Sequence, residues 1–127
     1  MKLEGKGKML RIHFGEDDKC AGQPLYQAIV EKAHELGLAG AMVYRGIEGY
    51  GASTLIRKEH LFSFSPDAPI MVSIIDTEEN LQKLLPFLDA NVDEGLIAMS
   101  DVEVIKYVPE GGAGSSVAPP HGTLKQS

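Results

Sequence analysis

The sequence contains little of what defines several large protein classes. It has one cysteine and no tryptophan among 127 residues. A single cysteine cannot form an internal disulfide, which excludes the small disulfide-framework folds. No apolar run approaches the roughly 20 residues that a membrane-spanning helix needs. Residues 1–8 also lack the apolar segment of a signal peptide, so we expect a cytoplasmic protein without membrane insertion.

Positive charge is scarce as well. The chain has 12 Lys and Arg residues against 18 Asp and Glu, for a net charge of -6. Because nucleic-acid binding depends on neutralising phosphates, we expect no nucleic-acid partner. The remaining composition, 43% apolar and 24% charged, is typical of one globular domain. We place this domain at residues 1–108 and predict that 109–127, rich in Gly, Ser, Ala and Pro without periodicity, form a flexible tail.

Hydrophobic periodicity predicts the element order β-α-β-β-α-β. Strands are indicated by alternation or by short apolar runs, and helices by apolar residues at spacings of three and four. Pro24 can open the first helix, and Gly37 can end it. The second helix begins at Asp76 or Thr77, and Pro86 should kink or shorten it. The predicted strands span residues 9–14, 39–44, 70–75 and 96–108.

This order is the split pattern of ferredoxin-like α+β folds, in which two helices pack on one face of a four-stranded antiparallel sheet. The apolar run from Ile70 to Ile75 offers apolar side chains to both faces of that sheet, although helices cover only one. An uncovered apolar face is typical of an association surface. We therefore predict a homo-oligomer whose sheets pack together.

A glycine-rich segment follows the second predicted strand. Gly46, Gly49 and Gly51 would let backbone N–H groups approach an anion, and Arg45 could add positive charge. The spacing matches neither the dinucleotide-binding fingerprint nor the Walker loop. From spacing alone, a tight turn that begins a long connection is the favoured interpretation, and an anion site is the alternative.

The sequence gives only weak indications of a metal site or a catalytic site. The weak metal-site candidates are His13, Glu16, Asp17 and Cys20, with His60 further along the chain. The histidines are widely separated and form no known ligand motif, so we expect no metal or other cofactor. No nucleophile and base are recognisable as a pair, and we expect the protein not to be an enzyme.

Three stretches, residues 22–30, 40–51 and 68–76, carry a family resemblance. They resemble a family of uncharacterised PII-like (GlnB-like) proteins of bacteria and archaea, related in fold to the PII nitrogen-regulatory signal transducers. The resemblance covers about residues 8–108, and residues 45–51 are its most specific part.

This resemblance implies a ferredoxin-like homotrimer that binds a small effector, usually an adenine nucleotide, in clefts between subunits. It also implies that residues 47–68 form a mobile loop that contacts partner proteins. An alternative with the same trimeric fold is a divalent-metal-tolerance protein. The ligand-binding residues that the PII-like resemblance implies are Arg45, Gly46, Glu48, Gly49, Tyr50, Gly51, Gly95 and Lys106.

Overall fold

The computed structural model describes residues 4–50 and 68–109, which form an α+β fold. Within these two ranges no helix is long and apolar enough to cross a membrane. The elements are β1 (Gly5–Gly15), β2 (Lys19–Cys20), β3 (Gln23–Pro24), α1 (Leu25–Glu35), β4 (Met42–Arg45), β5 (Pro69–Asp76), α2 (Glu78–Gln82), α3 (Leu85–Asn91) and β6 (Leu96–Val104).

The main sheet has four antiparallel strands in the order β4-β5-β1-β6. The apolar β5 and the first strand β1 occupy the centre, and β4 and β6 are the two edges. This is the predicted ferredoxin-like arrangement, and the prediction is confirmed. A separate two-stranded hairpin, β2 with β3, precedes α1.

Alternation along the two central strands builds the core. From Leu10 to Phe14 of β1 and from Ile70 to Asp76 of β5, every second residue faces the helices and is buried. This matches the period of two expected for a strand with one covered face. Burying one such aliphatic side chain stabilises the fold by about 1.5–3 kcal/mol. The buried positions are Leu10, Ile12 and Phe14 of β1, Ile70, Val72 and Ile74 of β5, and Leu25, Ile29, Ala33, Leu81, Leu84 and Leu88 of the helices.

The helix boundaries follow the predicted signals. α1 ends where Gly37, at φ +79°, donates its N–H to the His34 carbonyl over 3.0 Å, which is a position that favours glycine. Thr77 caps α2, since its side-chain oxygen accepts from the Asn80 N–H at 3.2 Å. Pro86 lies in the first turn of α3, so the single predicted helix is divided into α2 and α3, as its proline indicated.

The strand ends differ from prediction. We expected the first strand to begin at residue 9, but β1 begins at Gly5 and its first residues pair with the end of β6. Lys8 explains part of the extension, because its ammonium group binds the carboxylates of Asp101 and Glu78. The pKa of Lys8 is raised mainly by its hydrogen bond to Asp101. The last strand, predicted over residues 96–108, is continuous from Leu96 and ends at Val104.

Two predicted segments lie outside the described residues. The long connection between β4 and β5 falls mostly on residues 51–67, and the tail falls on residues 110–127. The domain boundary at residue 108, the flexible tail and the mobile loop therefore stay predictions.

Asp76 is a buried carboxylate at the end of β5, with no side-chain exposure. One of its oxygens accepts from the backbone N–H of Ala39 at 2.8 Å. The other accepts from the Thr77 N–H at 2.6 Å and from the Asn80 side-chain amide at 3.0 Å. These bonds join the segment after α1 to the junction of β5 with α2.

Replacement of Asp76 by asparagine should strongly destabilise the fold. The asparagine amide has the size of the carboxylate, but its N–H groups would lie where one carboxylate oxygen accepts a hydrogen bond from the Ala39 N–H. That buried donor would then have no acceptor. We expect the free energy of unfolding to fall by about 2–4 kcal/mol, measured by urea denaturation. Asp101→Asn is the matched control, and its effect should be small because its ion pair with Lys8 is exposed. Equal effects of the two variants would contradict this role for Asp76.

Gly95 lies in the turn between α3 and β6, where the chain passes very close to β1. A Cβ atom at this position would lie 2.3 Å from the backbone oxygen of His13. No side chain fits at that distance without moving backbone. Gly95 is therefore required by the approach of the turn to the sheet.

We expect Gly95→Ala to lower the free energy of unfolding by about 1–3 kcal/mol, the usual cost of forcing extra atoms into a packed site. Gly40→Ala is the matched control, because a Cβ there has open space and the backbone φ is not positive. That variant should be neutral or slightly stabilising, since alanine restricts the unfolded chain. Thermal denaturation of both proteins checks the difference, and a well-tolerated Gly95→Ala would refute the packing role.

Candidate functional site

The predicted site residues lie at two opposite ends of the sheet. At one end, β4 finishes, β5 begins and β6 begins, which places Gly46 and Gly95 at the same end of the sheet, on its two opposite edge strands. At the other end, the chain leaves β6 and reaches Lys106. The nine residues of β6 separate Gly95 from Lys106, a span of about 30 Å at roughly 3.3 Å per residue. Within one chain the predicted residues therefore form two groups.

Gly46 is held by its neighbour Pro69. Its N–H donates to the Pro69 carbonyl over 2.7 Å, and a Cβ at Gly46 would lie 2.8 Å from the Pro69 ring. The close approach explains the glycine, and its amide is already occupied within the chain. An anion at this end of the sheet would therefore have to be bound by backbone N–H groups further along the segment.

Gly49 is less constrained by packing. It has φ +157°, a conformation that other residues rarely adopt, but among the described residues a Cβ there would meet only the Pro69 ring, at an ordinary 3.7 Å. Its neighbours Glu48 and Tyr50 are exposed. Gly51 lies outside the described residues. Glu48 and Tyr50 thus present accessible groups to solvent.

Arg45 carries the positive charge of this end, and Glu16 balances it. The guanidinium Nε donates to the Glu16 carboxylate over 3.0 Å. An anionic ligand that approached Arg45 would compete with this carboxylate. Among the positive groups predicted for the site, Lys106 is the one with no ion pair in the described part of the chain.

Lys106 lines a cleft of about 610 Å³ at its end of the sheet. The floor is formed by side chains of β4 and β5, and one wall by the extended residues that follow β6. The lining is mainly apolar, and it includes the exposed side chains Met42, Tyr44 and Ile75. The charged residues of the lining are Lys106 and Glu103. A cleft with an apolar floor and a cation at its rim suits a flat ring that carries an anionic group.

Tyr107 fixes the wall of this cleft. Its hydroxyl donates to the Ala39 carbonyl over 3.1 Å, which ties the segment after β6 to the segment after α1. The pKa of Tyr107 is raised, first by burial and then by the negative charge of Asp76. The hydroxyl therefore stays protonated and able to donate. The sequence offered no signal for Tyr107 or for the floor residues, because only the fold brings them together.

The residues of the alternative metal hypothesis do not converge. His13 lies on the sheet face away from the helices, Glu16 binds Arg45, and the Cys20 thiol donates to the Asn91 side chain at 3.4 Å. In residues 4–50 and 68–109 no group of three or more His, Cys, Asp and Glu side chains could hold a metal ion. His60 lies outside these ranges. The divalent-metal-tolerance alternative is not favoured.

Comparison with known proteins agrees with this fold. Residues 7–104 match the family DUF190, described as "Uncharacterized ACR, COG1993". A UPF0166 protein of Aquifex aeolicus (strain VF5) is 44% identical over 100 residues, covering 79% of this chain and 94% of that protein. UPF0166 protein MJ1524 of Methanocaldococcus jannaschii is 35% identical over 102 residues, covering 80% and 94%.

A solved structure shares the architecture. CPII from Thiomonas intermedia K12, a nitrogen regulatory PII-like protein bound to ADP, AMP and bicarbonate, superposes with a TM-score of 0.57 at 24% identity. The match covers 80% of this chain and 90% of CPII. At this identity the likeness establishes the fold, which is PII-like. The match over residues 7–104 and the two relatives show that the chain belongs to the DUF190 family.

Proposed function

We propose that this protein is a PII-like regulator that forms a homotrimer and binds a small anionic ligand, an adenine nucleotide, in clefts between its protomers. The observation that carries the proposal is an uncovered apolar sheet face that continues into the Lys106 cleft. Ligand binding would then change the conformation of residues 47–68 and so the partner protein that they contact. No catalytic step is part of the proposal.

The sheet face opposite the helices, called the open face below, supports the assembly. It carries the alternate residues of the four strands, and in one chain several of its apolar side chains are exposed. Ile75 is 37% exposed, Tyr44 46% and Leu96 56%. Contiguous apolar surface of this kind is unfavourable in water and is typical of protein interfaces. The described positions of the open face include Met42, Tyr44, Met71, Ser73, Ile75, Gly5, Gly7, Met9, Arg11, His13, Leu96, Ala98, Ser100, Val102 and Val104.

The separation of the two groups of site residues is compatible with a cleft between protomers. Lys106 and the glycine end cannot meet within a chain, because β6 holds them apart. A neighbouring protomer packed on the open face would bring a second set of ends to the Lys106 cleft. CPII, which shares the fold, is bound to ADP and AMP in its structure. The apolar cleft with Lys106 at its rim is chemically suited to the same class of ligand.

The switching step needs a ligand that prefers one conformation of residues 47–68. A ligand that binds both conformations equally shifts no population. Gly49 and Gly46 flank the start of this segment, and Gly46 is anchored to Pro69. Movement would therefore begin beyond Gly46, which is consistent with an ordering transition on ligand binding.

Lys106→Gln should weaken nucleotide binding. The variant removes the unpaired cation of the cleft, and the loss of one charge-assisted hydrogen bond to a phosphate costs about 1.5–3 kcal/mol. We expect roughly tenfold to hundredfold weaker binding, measured by calorimetry with AMP, ADP and ATP. Lys83→Gln, an exposed position between α2 and α3, is the control and should bind as the wild type. Absence of wild-type binding to all three nucleotides would overturn the proposed ligand.

Ile75→Asp should dissociate the assembly. The side chain lies on the open face, so the variant would place an unpaired charge in the interface. Sedimentation velocity should show a monomer for this variant and a trimer for the wild type. Gln82→Glu adds a negative charge on an exposed helical position and should leave the trimer intact. If Ile75→Asp sediments as the wild type does, the open face is not the interface. Ile74, which is 1% exposed and faces the helices, is unsuitable for this test because its replacement would disrupt the core.

A further inference from the structure

Arg11 occupies the middle of the open face, where a charged residue is unexpected. It lies on the central strand β1, opposite Ser73 of β5 and Ala98 of β6. Ser73 and Ala98, its partners on the two neighbouring strands, are both small residues. They therefore leave room for a side chain that lies along the sheet. Most of the surrounding positions are apolar, including Met9, Met71 and Ile75.

The guanidinium group of Arg11 has an unsatisfied donor. Its Nε atom is shielded from solvent and has no hydrogen-bond partner among the described residues. Buried polar donors are nearly always paired, and a buried guanidinium without an acceptor is strongly unfavourable. The sheet therefore already withdraws part of this group from water before any partner covers it.

The described positions of the open face carry no carboxylate that could pair with Arg11. The acids closest along the paired strands, Asp76 and Asp101, belong to the helix side of the sheet by the strand register. Both are engaged there, Asp76 by three N–H groups and Asp101 by Lys8. Acceptors on the open face itself are the neutral hydroxyls of Ser73, Ser100 and Tyr44.

Association through this face makes the imbalance larger. Each added copy brings another Arg11 but, among the described positions of its open face, no carboxylate. Like charges would accumulate in an interface that excludes water, which opposes assembly. The interface is therefore incomplete unless something supplies negative charge.

We propose that the assembled protein holds a small oxyanion, such as phosphate, sulfate or a carboxylate, on Arg11 side chains from more than one protomer. This inference depends on the homo-oligomer proposed above. The planar guanidinium donates two parallel hydrogen bonds to an oxyanion, which matches tetrahedral and planar anions alike. The anion would neutralise the face and strengthen the association of protomers. The site is distinct from the Lys106 cleft, because Arg11 does not line that cleft.

The test measures self-association with and without oxyanion. Sedimentation equilibrium of the dialysed wild-type protein is run in chloride alone and then with inorganic phosphate, sulfate or formate at constant ionic strength. We expect each effective oxyanion to strengthen wild-type association about tenfold, the effect of one added charge-assisted bond. Arg11→Met should associate in chloride at least as tightly as the wild type does in phosphate, and should not respond to the anions.

Two control variants separate this site from other charges. Lys83→Met removes an exposed positive charge away from the open face and should respond to oxyanions as the wild type does. Lys106→Gln should also respond, because inorganic phosphate at Arg11 does not use the nucleotide cleft. Loss of the response in Lys106→Gln would place the anion in that cleft and overturn the inference.

The remaining outcomes are distinguishable. If the wild type and Arg11→Met both assemble equally well with and without oxyanion, neutral hydroxyls satisfy Arg11, and the anion site is refuted while the assembly stands. If neither protein assembles under any condition, although circular dichroism shows both to be folded, the proposed homo-oligomer itself is refuted and the anion site with it.

Discussion

The buried carboxylate of Asp76 is the constraint on which the positions of the candidate site depend. Its hydrogen bonds fix Ala39 on one side and the start of α2 on the other. The backbone carbonyl of Ala39 in turn accepts a hydrogen bond from the Tyr107 hydroxyl. This bond holds the chain after β6 against the sheet. The wall of the Lys106 cleft is thus connected to the core through one acidic side chain. A buried charge is tolerated here because N–H donors surround it.

The sequence allowed the element order to be predicted because it contained strong local signals. Alternation in β1, the apolar run of β5, the Thr77 cap and Pro86 each act within a few residues, and each appears in the structure. The two-sided apolar character of β5 also predicted an uncovered face. What alternation could not decide was which of Ile74 and Ile75 faces the helices, because that depends on strand register. The structure places Ile74 in the core and Ile75 on the open face.

The candidate site was harder to predict, because it depends on contacts between distant segments. The extension of β1 to Gly5 depends on pairing with the end of β6, where Lys8 meets Asp101, 93 residues further along the chain. Tyr107 and Ile75 enter the cleft only once β6 is paired with β1. The resemblance to PII-like proteins implied residues at both ends of the sheet, but no spacing in the sequence reveals that β6 separates them. Hydrophobic periodicity predicts each strand by itself, whereas the candidate site depends on how the strands pair with one another.

The glycines show why a motif and a packing requirement are difficult to separate by sequence. Gly46 and Gly95 are required by close approaches to Pro69 and to His13, whether or not a ligand binds nearby. Gly49 has space for a side chain, so its unusual backbone conformation is not demanded by a neighbouring atom. A glycine that is needed for packing carries little information about a ligand. The stronger indications of binding are therefore two charged groups for which residues 4–50 and 68–109 supply no partner: Lys106 at the rim of an apolar cleft and the Nε of Arg11 on an apolar face.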